Sequence, residues 1–215
     1  IDCGFDTYFG VDVPNFPPYT WFEQDRLAAQ PELEKPDEMF GHPGRMMPGW
    51  TLEGMIPELT ARSEKFIETA GPEPFFLYLP LTSPHYPIVP NKQFIGQSGA
   101  GIYGDFVCEV DWIVGRIMSA LERNGLTDET LLIFTSDNGP ECSEAAGGGV
   151  YENARRFGHY GMGHLRGVKR DTWEGGHRVP FIARWPGVTP AGSVCDHLIS
   201  LGDLLATCAE LTGVV

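Results

Sequence analysis

Apolar and polar positions along the chain fall into a helical period in three places. Over 57–70, Leu59, Phe66, Ile67 and Ala70 share one face, Pro57 suits a first turn and Gly71 stops the run. Over 104–123, Phe106, Val107, Val110, Ile113, Val114, Ile117 and Leu121 form an apolar stripe. Asp105, Glu109, Arg116 and Glu122 take the polar side, and Gly125 ends the helix. A third helix near 201–212 opens on a capping-box-like Ser200 and Asp203 and closes at Gly213. Between them lie short apolar runs at 75–80 (FFLYLP) and 131–136 (LLIFTS), which read as strands buried on both faces.

Strand, long helix, strand makes a βαβ unit, so the two strands are expected to lie parallel with a right-handed crossover. A further strand is expected over 180–185. Residues 1–50, rich in Pro, Gly and aromatics, carry no sustained period and read as an irregular arm preceding an α/β core over 57–213. Open sheets of this class bind ligands beyond the carboxyl ends of their strands, which is where chemistry is sought.

Composition narrows the classes. The chain has 215 residues, 42% hydrophobic and 20% charged, enough apolar content for a sizeable core. Its net charge of −14 argues against nucleic acid as partner, and no apolar run is long enough to span a membrane. Five cysteines (Cys3, Cys108, Cys142, Cys195, Cys208) have no metal-site spacing; Cys208 lies in an apolar helical run and Cys108 in an amphipathic one, and both read as core. No Asn-x-Ser/Thr sequon is present. The chain opens at Ile1 without an initiator Met or signal peptide, so an internal fragment is expected.

Three clusters follow the strands. After 75–80 comes Thr82-Ser83-Pro84-His85-Tyr86-Pro87, where prolines fix the loop carrying His85. Such a histidine is either an ordinary surface turn residue or a proton carrier. After 131–136 comes Ser136-Asp137-Asn138-Gly139, whose adjacent side-chain oxygens suit a hard divalent cation, although Asp-Asn-Gly also makes hairpin turns. No strand is expected to follow in the loop 140–150, which weakens the hairpin reading. The third cluster runs from Gly163 to Pro180. Residues 151–185 hold seven basic and three acidic side chains, +4 in a chain whose other 180 residues total −18. A basic island in an acidic body suggests an anionic ligand; the alternative is a solvated loop paired with acidic neighbours.

In this order and on this frame, the clusters resemble the sulfatase family of the alkaline-phosphatase-like superfamily. The resemblance rests on Ser83-Pro84-His85, Ser136-Asp137-Asn138-Gly139, Leu165-Arg166-Gly167-x-Lys169, Glu174-Gly175-Gly176-x-Arg178-Val179-Pro180 and Trp185-Pro186-Gly187. It implies an alkaline-phosphatase-like α/β fold with a largely parallel sheet flanked by helices, incomplete at both ends. It also implies a sulfuric ester hydrolase acting on a sulfated glycan or aryl sulfate. By the same resemblance, Asp137 and Asn138 are two ligands of a calcium ion and Lys169 binds the sulfate oxygens. His85 hydrogen-bonds the sulfate near the ester oxygen and assists the leaving group. Glu174 and Arg178 read as a structural pair, while His164 and His177 match no constant role and are candidates to line the substrate cleft.

The family's nucleophile is a formylglycine made within a Cys/Ser-x-Pro-x-Arg motif, and no cysteine or serine here begins one. The paired aspartates that complete the calcium site are also missing. Both are expected upstream in a longer parent, so this chain alone is expected to be inactive, and a periplasmic or secreted bacterial location is implied. A phosphatase or phosphonate hydrolase of the same superfamily, and a non-catalytic anion- or glycan-binding relative, remain the alternatives. Cys142, four residues past Asn138, is a weak candidate thiol nucleophile with no base legible beside it.

Overall fold

In the computed structural model, residues 4–142 and 149–214 are described. Cys3 and most of the expected 140–150 loop lie outside them. The arm is less irregular than its sequence suggests. It folds into an antiparallel ribbon of β1 (Phe9–Gly10), β2 (Phe22–Glu23) and β3 (Arg26–Leu27), and a second of β4 (Leu33–Glu34) and β5 (Arg45–Met46). Two-residue strands leave no alternation to read, so their signal is absent from the sequence. Tyr19, Met46, Trp50, Leu52 and Met55 bury together as the core of this region.

Helix α1 spans Met55–Thr69 and α2 spans Gly101–Arg123, close to the expected ranges. They pack through Ile56 and Ile67 against Phe106, Ile113, Ile117, Ala120 and Leu121. The expected polar side of α2 needs correction: Asp105 and Glu109 are buried. Both carboxyls face the 91–98 loop and accept its backbone amides: Asn91 N donates to Glu109 Oε2 (2.9 Å), Gly96 N to Asp105 Oδ2 (2.8 Å) and Ser98 N to Asp105 Oδ1 (2.9 Å). Val107, expected on the apolar stripe, is exposed.

The expected sheet is also corrected. Residues 75–80 are extended but form no ladder among the described residues, and they alternate instead of burying both faces. Phe75, Leu77 and Leu79 pack on the α1–α2 core, whereas Phe76 and Tyr78 are exposed. Strand β6 (Leu132–Thr135) pairs with β7 (Phe181–Arg184), and the pair is antiparallel, with Leu132 opposite Arg184 and Thr135 opposite Phe181. Every paired strand among the described residues is antiparallel; Tyr19 and Met46 make one isolated parallel bridge. Pairing partner and direction are chosen by contacts distant in sequence, which local patterning does not encode.

Three helices complete the order: α3 (Val150–Phe157), unforeseen in the sequence, the single turn α4 (Glu174–His177), and α5 (Asp203–Thr212). Half of the expected cap of α5 forms: Ser200 N donates to Asp203 Oδ2 (2.7 Å), but the N-cap is Gly202, and Asp203 N bonds the Ser200 carbonyl (2.9 Å), not its hydroxyl; Gly213 closes the helix at φ 71°. None of its residues is buried, so Cys208 is half-exposed and not core; Cys108 is likewise only half-buried. Apolar periodicity marks a face to be covered, and no described element covers that of α5. No helix among the described residues is long and apolar enough to cross a membrane.

Candidate functional site

Two of the three clusters meet just past β6. Ser136 Oγ donates to the Asn138 carbonyl (3.0 Å), and Asn138 Nδ2 donates to the Gly139 carbonyl (2.9 Å). Gly139 N then donates to Gly176 O (2.8 Å), and Lys169 N donates to Pro140 O (2.9 Å). These two backbone bonds join the Asp137–Asn138 turn to the loop carrying Lys169. The glycines explain how backbones come so close. A Cβ on Gly139 would overlap the carbonyl oxygen of Gly175, and one on Gly175 would overlap that of Gly167.

The Lys169 loop is closed on itself. Gly175 N donates to Arg166 O, Asp171 N to Val168 O and Gly176 N to Trp173 O, each at 2.8 Å. The Asp171 carboxylate accepts from Val168 N (3.0 Å). Glu174 and Arg178 form the expected pair at 3.2 Å across α4, half-solvated and therefore of modest energy.

Most of the basic island is neutralised. Arg155 and Arg156 lie against Glu152, Arg170 bonds Glu141 through two nitrogens (2.8 and 3.3 Å), and Arg178 holds Glu174. The Glu141–Arg170 pair and α3 were not anticipated; the Glu152-x-x-Arg155-Arg156 spacing was the available signal for α3. Lys169, half-buried, has no acidic partner among the described residues, and its ammonium is available to an outside anion. The Asp137 carboxylate is exposed and likewise accepts no hydrogen bond among them.

Asp137 and Asn138 fit a hard cation by donor type. Nδ2 of Asn138 is engaged, which leaves its amide oxygen, beside the Asp137 carboxylate, for coordination. Two side chains supply only part of the roughly 6–8 oxygens calcium takes. No group of three or more His, Cys, Asp or Glu suited to a metal occurs among the described residues.

His85 sits apart, exposed on its proline-flanked loop. Its Nδ1 is 2.7 Å from the Tyr86 carbonyl, and Tyr86 packs edge-on against Phe40 at 4.5 Å. A carbonyl only accepts, so Nδ1 carries the proton, and Nε2 becomes a donor only in the imidazolium form. No hydrogen bond or ion pair among the described residues links His85 to Asp137, Asn138 or Lys169. His164 is exposed, and His177 Nε2 lies 3.0 Å from the Thr172 carbonyl, tied to its own loop. Burial and the adjacent Glu141 carboxylate push the Cys142 thiol up, which removes the thiolate a nucleophile needs.

The sulfatase family model matches residues 4–214. The N-acetylgalactosamine-6-O-sulfatase of Bacteroides thetaiotaomicron is 40% identical over 162 residues, 75% of this chain and 31% of that protein. Human arylsulfatase D is 38% identical over 173 residues, covering 76% of this chain and 27% of its own. A solved structure described for the metabolism of multiple glycosaminoglycans by B. thetaiotaomicron superposes with a TM-score of 0.82 at 29% identity, over 99% of this chain and 52% of that one. The chain thus spans about a third or less of these two curated relatives.

Proposed function

The chain belongs to the sulfatase family, and on that premise we propose that it forms part of the catalytic domain of a sulfuric ester hydrolase. The observation that carries this reading is the joining of the Asp137–Asn138 turn to the Lys169 loop, each presenting an unengaged charge. A cation-binding carboxylate on a turn joined to the loop of an ammonium without an acidic partner among the described residues is an arrangement suited to the tetrahedral, anionic sulfuryl group of a sulfate ester. The substrate class is a sulfated glycan or aryl sulfate, in keeping with the names of the relatives, and a periplasmic or secreted location fits a glycan substrate.

In this reading Lys169 holds the sulfuryl oxygens and stabilises the charge that builds there in the transition state. His85, with Nδ1–H held by the Tyr86 carbonyl, offers Nε2–H to the departing ester oxygen in its imidazolium form. Asp137 and Asn138 hold calcium as two of its ligands; when bound, the ion supplies further positive charge to the sulfuryl oxygens. The formylglycine nucleophile comes from outside these 215 residues, none of which begins the required motif.

Sulfate release by the full-length, maturation-competent protein tests the proposal. Lys169→Ala is expected to lower kcat/KM by ~10²–10³ on any sulfate ester. His85→Ala is expected to cost ~10²–10⁴ on alkyl and sugar sulfates, and less on an activated aryl sulfate whose leaving group needs no proton. Wild-type rates in both variants would sink these roles, and a preference for phosphate esters would favour the phosphatase alternative.

A further inference from the structure

Of the seven basic side chains in residues 151–185, Arg166 is the one whose charge rests on a ring in place of an acid. Its guanidinium carbon lies 3.8 Å from the centroid of Trp173, and it has no ion pair among the described residues. Trp173 itself is 49% exposed, so its indole is accessible to a ligand. Both residues stand on the closed loop that carries Lys169. Arg166 stands three positions before Lys169, so their Cα atoms lie within about 11 Å.

The position of the indole is set by backbone. Trp173 O accepts from Gly176 N, Arg166 O from Gly175 N, and a Cβ on Gly167 would stand 2.7 Å from Trp173 Cβ. The arginine and the ring are therefore pre-ordered, so a ligand does not have to order them. A guanidinium over a half-exposed indole, with no acidic partner among the described residues, offers two different contacts at once. The indole stacks on the apolar C–H face of a pyranose, and the fork of the guanidinium pairs with a planar carboxylate or a sulfate.

We infer that Arg166 and Trp173 form a saccharide subsite that takes a second anionic group of a polyanionic glycan, next to the group held by Lys169. This rests on the sulfatase reading for the role of Lys169. It narrows the substrate from any sulfate ester to a glycan carrying a carboxylate or second sulfate near the scissile one. The surrounding −18 body would repel such a polyanion, so each anionic group requires a local cation. The other cations of the island are committed to acids, apart from Lys169 and Arg184.

The test uses the full-length protein with two substrates, a chondroitin 6-sulfate oligosaccharide, which carries uronate carboxylates, and a small aryl monosulfate. Arg166→Gln is expected to raise KM for the oligosaccharide about tenfold with kcat unchanged. It should flatten the salt dependence of that KM and leave both constants for the aryl sulfate as they were. Trp173→Ala should act on the oligosaccharide in the same way, and Trp173→Phe should restore most of the loss. Equal losses on both substrates would mean that the pair only braces the Lys169 loop, and no loss on either would mean that no subsite exists; both overturn the inference. Affinity of the oligosaccharide, measured directly by calorimetry, separates this from the catalytic reading. A wild type that binds it but releases no sulfate, with binding weakened by Arg166→Gln, refutes the hydrolase assignment and upholds the subsite.

Discussion

Two carboxyl groups one turn apart on α2 titrate in opposite directions. At Asp105 burial pushes the pKa up, but the amides of Gly96 and Ser98 and the Ser98 hydroxyl pull it down further, and the net shift is downward. Its stabilisation is therefore present above the unfolded value of about 3.9 and disappears as pH falls through the lower folded value. At Glu109 burial dominates; the single bond from Asn91 N only partly offsets it, and Oε1 is buried without a partner. Its folded pKa is raised, so its contribution is full below about 4.3 and is lost as pH rises through the folded value. Denaturant melts should show Glu109→Gln as stable as wild type at pH 4 and more stable at pH 7. Asp105→Asn is expected to lose about 1.5–3 kcal/mol at pH 7, a deficit that shrinks on acidification. Neither residue could be assigned this role from periodicity, which places charged residues on the solvent side and cannot see a loop folding back to use them. His85 was legible as a candidate, but its committed Nδ1 was not.

At the scale of elements, α1 and α2 were legible because an apolar stripe of four turns or more specifies both helix and buried face. Their register is held by Glu64, nearly buried on α1, which bonds Arg116 and Arg123 of α2. The arginines remain half-solvated, so Glu64→Ala is expected to cost about 1–3 kcal/mol, below the value for a fully buried pair, measured as a shift in denaturation midpoint. The run 75–80 was misjudged because a short apolar stretch carries no statement of how many of its faces are covered. The contact of the Asp137 turn with α4 was not legible either. Its only trace is a set of glycines, and a glycine does not name the backbone it approaches. Gly139→Ala should separate the turn from Gly175 and reduce activity of the full-length protein as severely as Lys169→Ala, with a smaller change in melting temperature than in rate.

Over the whole molecule, the charge asymmetry resolves into a few unneutralised cations in an acidic body. The chain's share of its relatives' length bears on what it does unaided. The 215-residue polypeptide by itself is expected to release no sulfate from an aryl sulfate. It should bind calcium with a Kd in the millimolar range or weaker, because the proposed ligands Asp137 and Asn138 would provide a minority of the oxygens calcium takes, whereas sulfate release and tighter calcium binding should appear together in the full-length protein. Calorimetric titration with calcium and a sulfate-release assay check this directly.

Local sequence was enough to specify α1, α2 and α5, the helix stops at Gly125 and Gly213, the strands at 132–135 and 181–184, and the ordered motifs that place the chain in its family. These are properties of residues near one another in the chain, set by periodicity, capping and local chemistry. It took the tertiary structure to settle that β6 pairs antiparallel with β7, that Asp105 and Glu109 face inward, that Lys169 has no acidic partner among the described residues while Arg170 has one, and that Arg166 lies on Trp173. Each depends on which distant segment arrives alongside, and burial, hydrogen bonding and charge neutralisation are settled only at that contact.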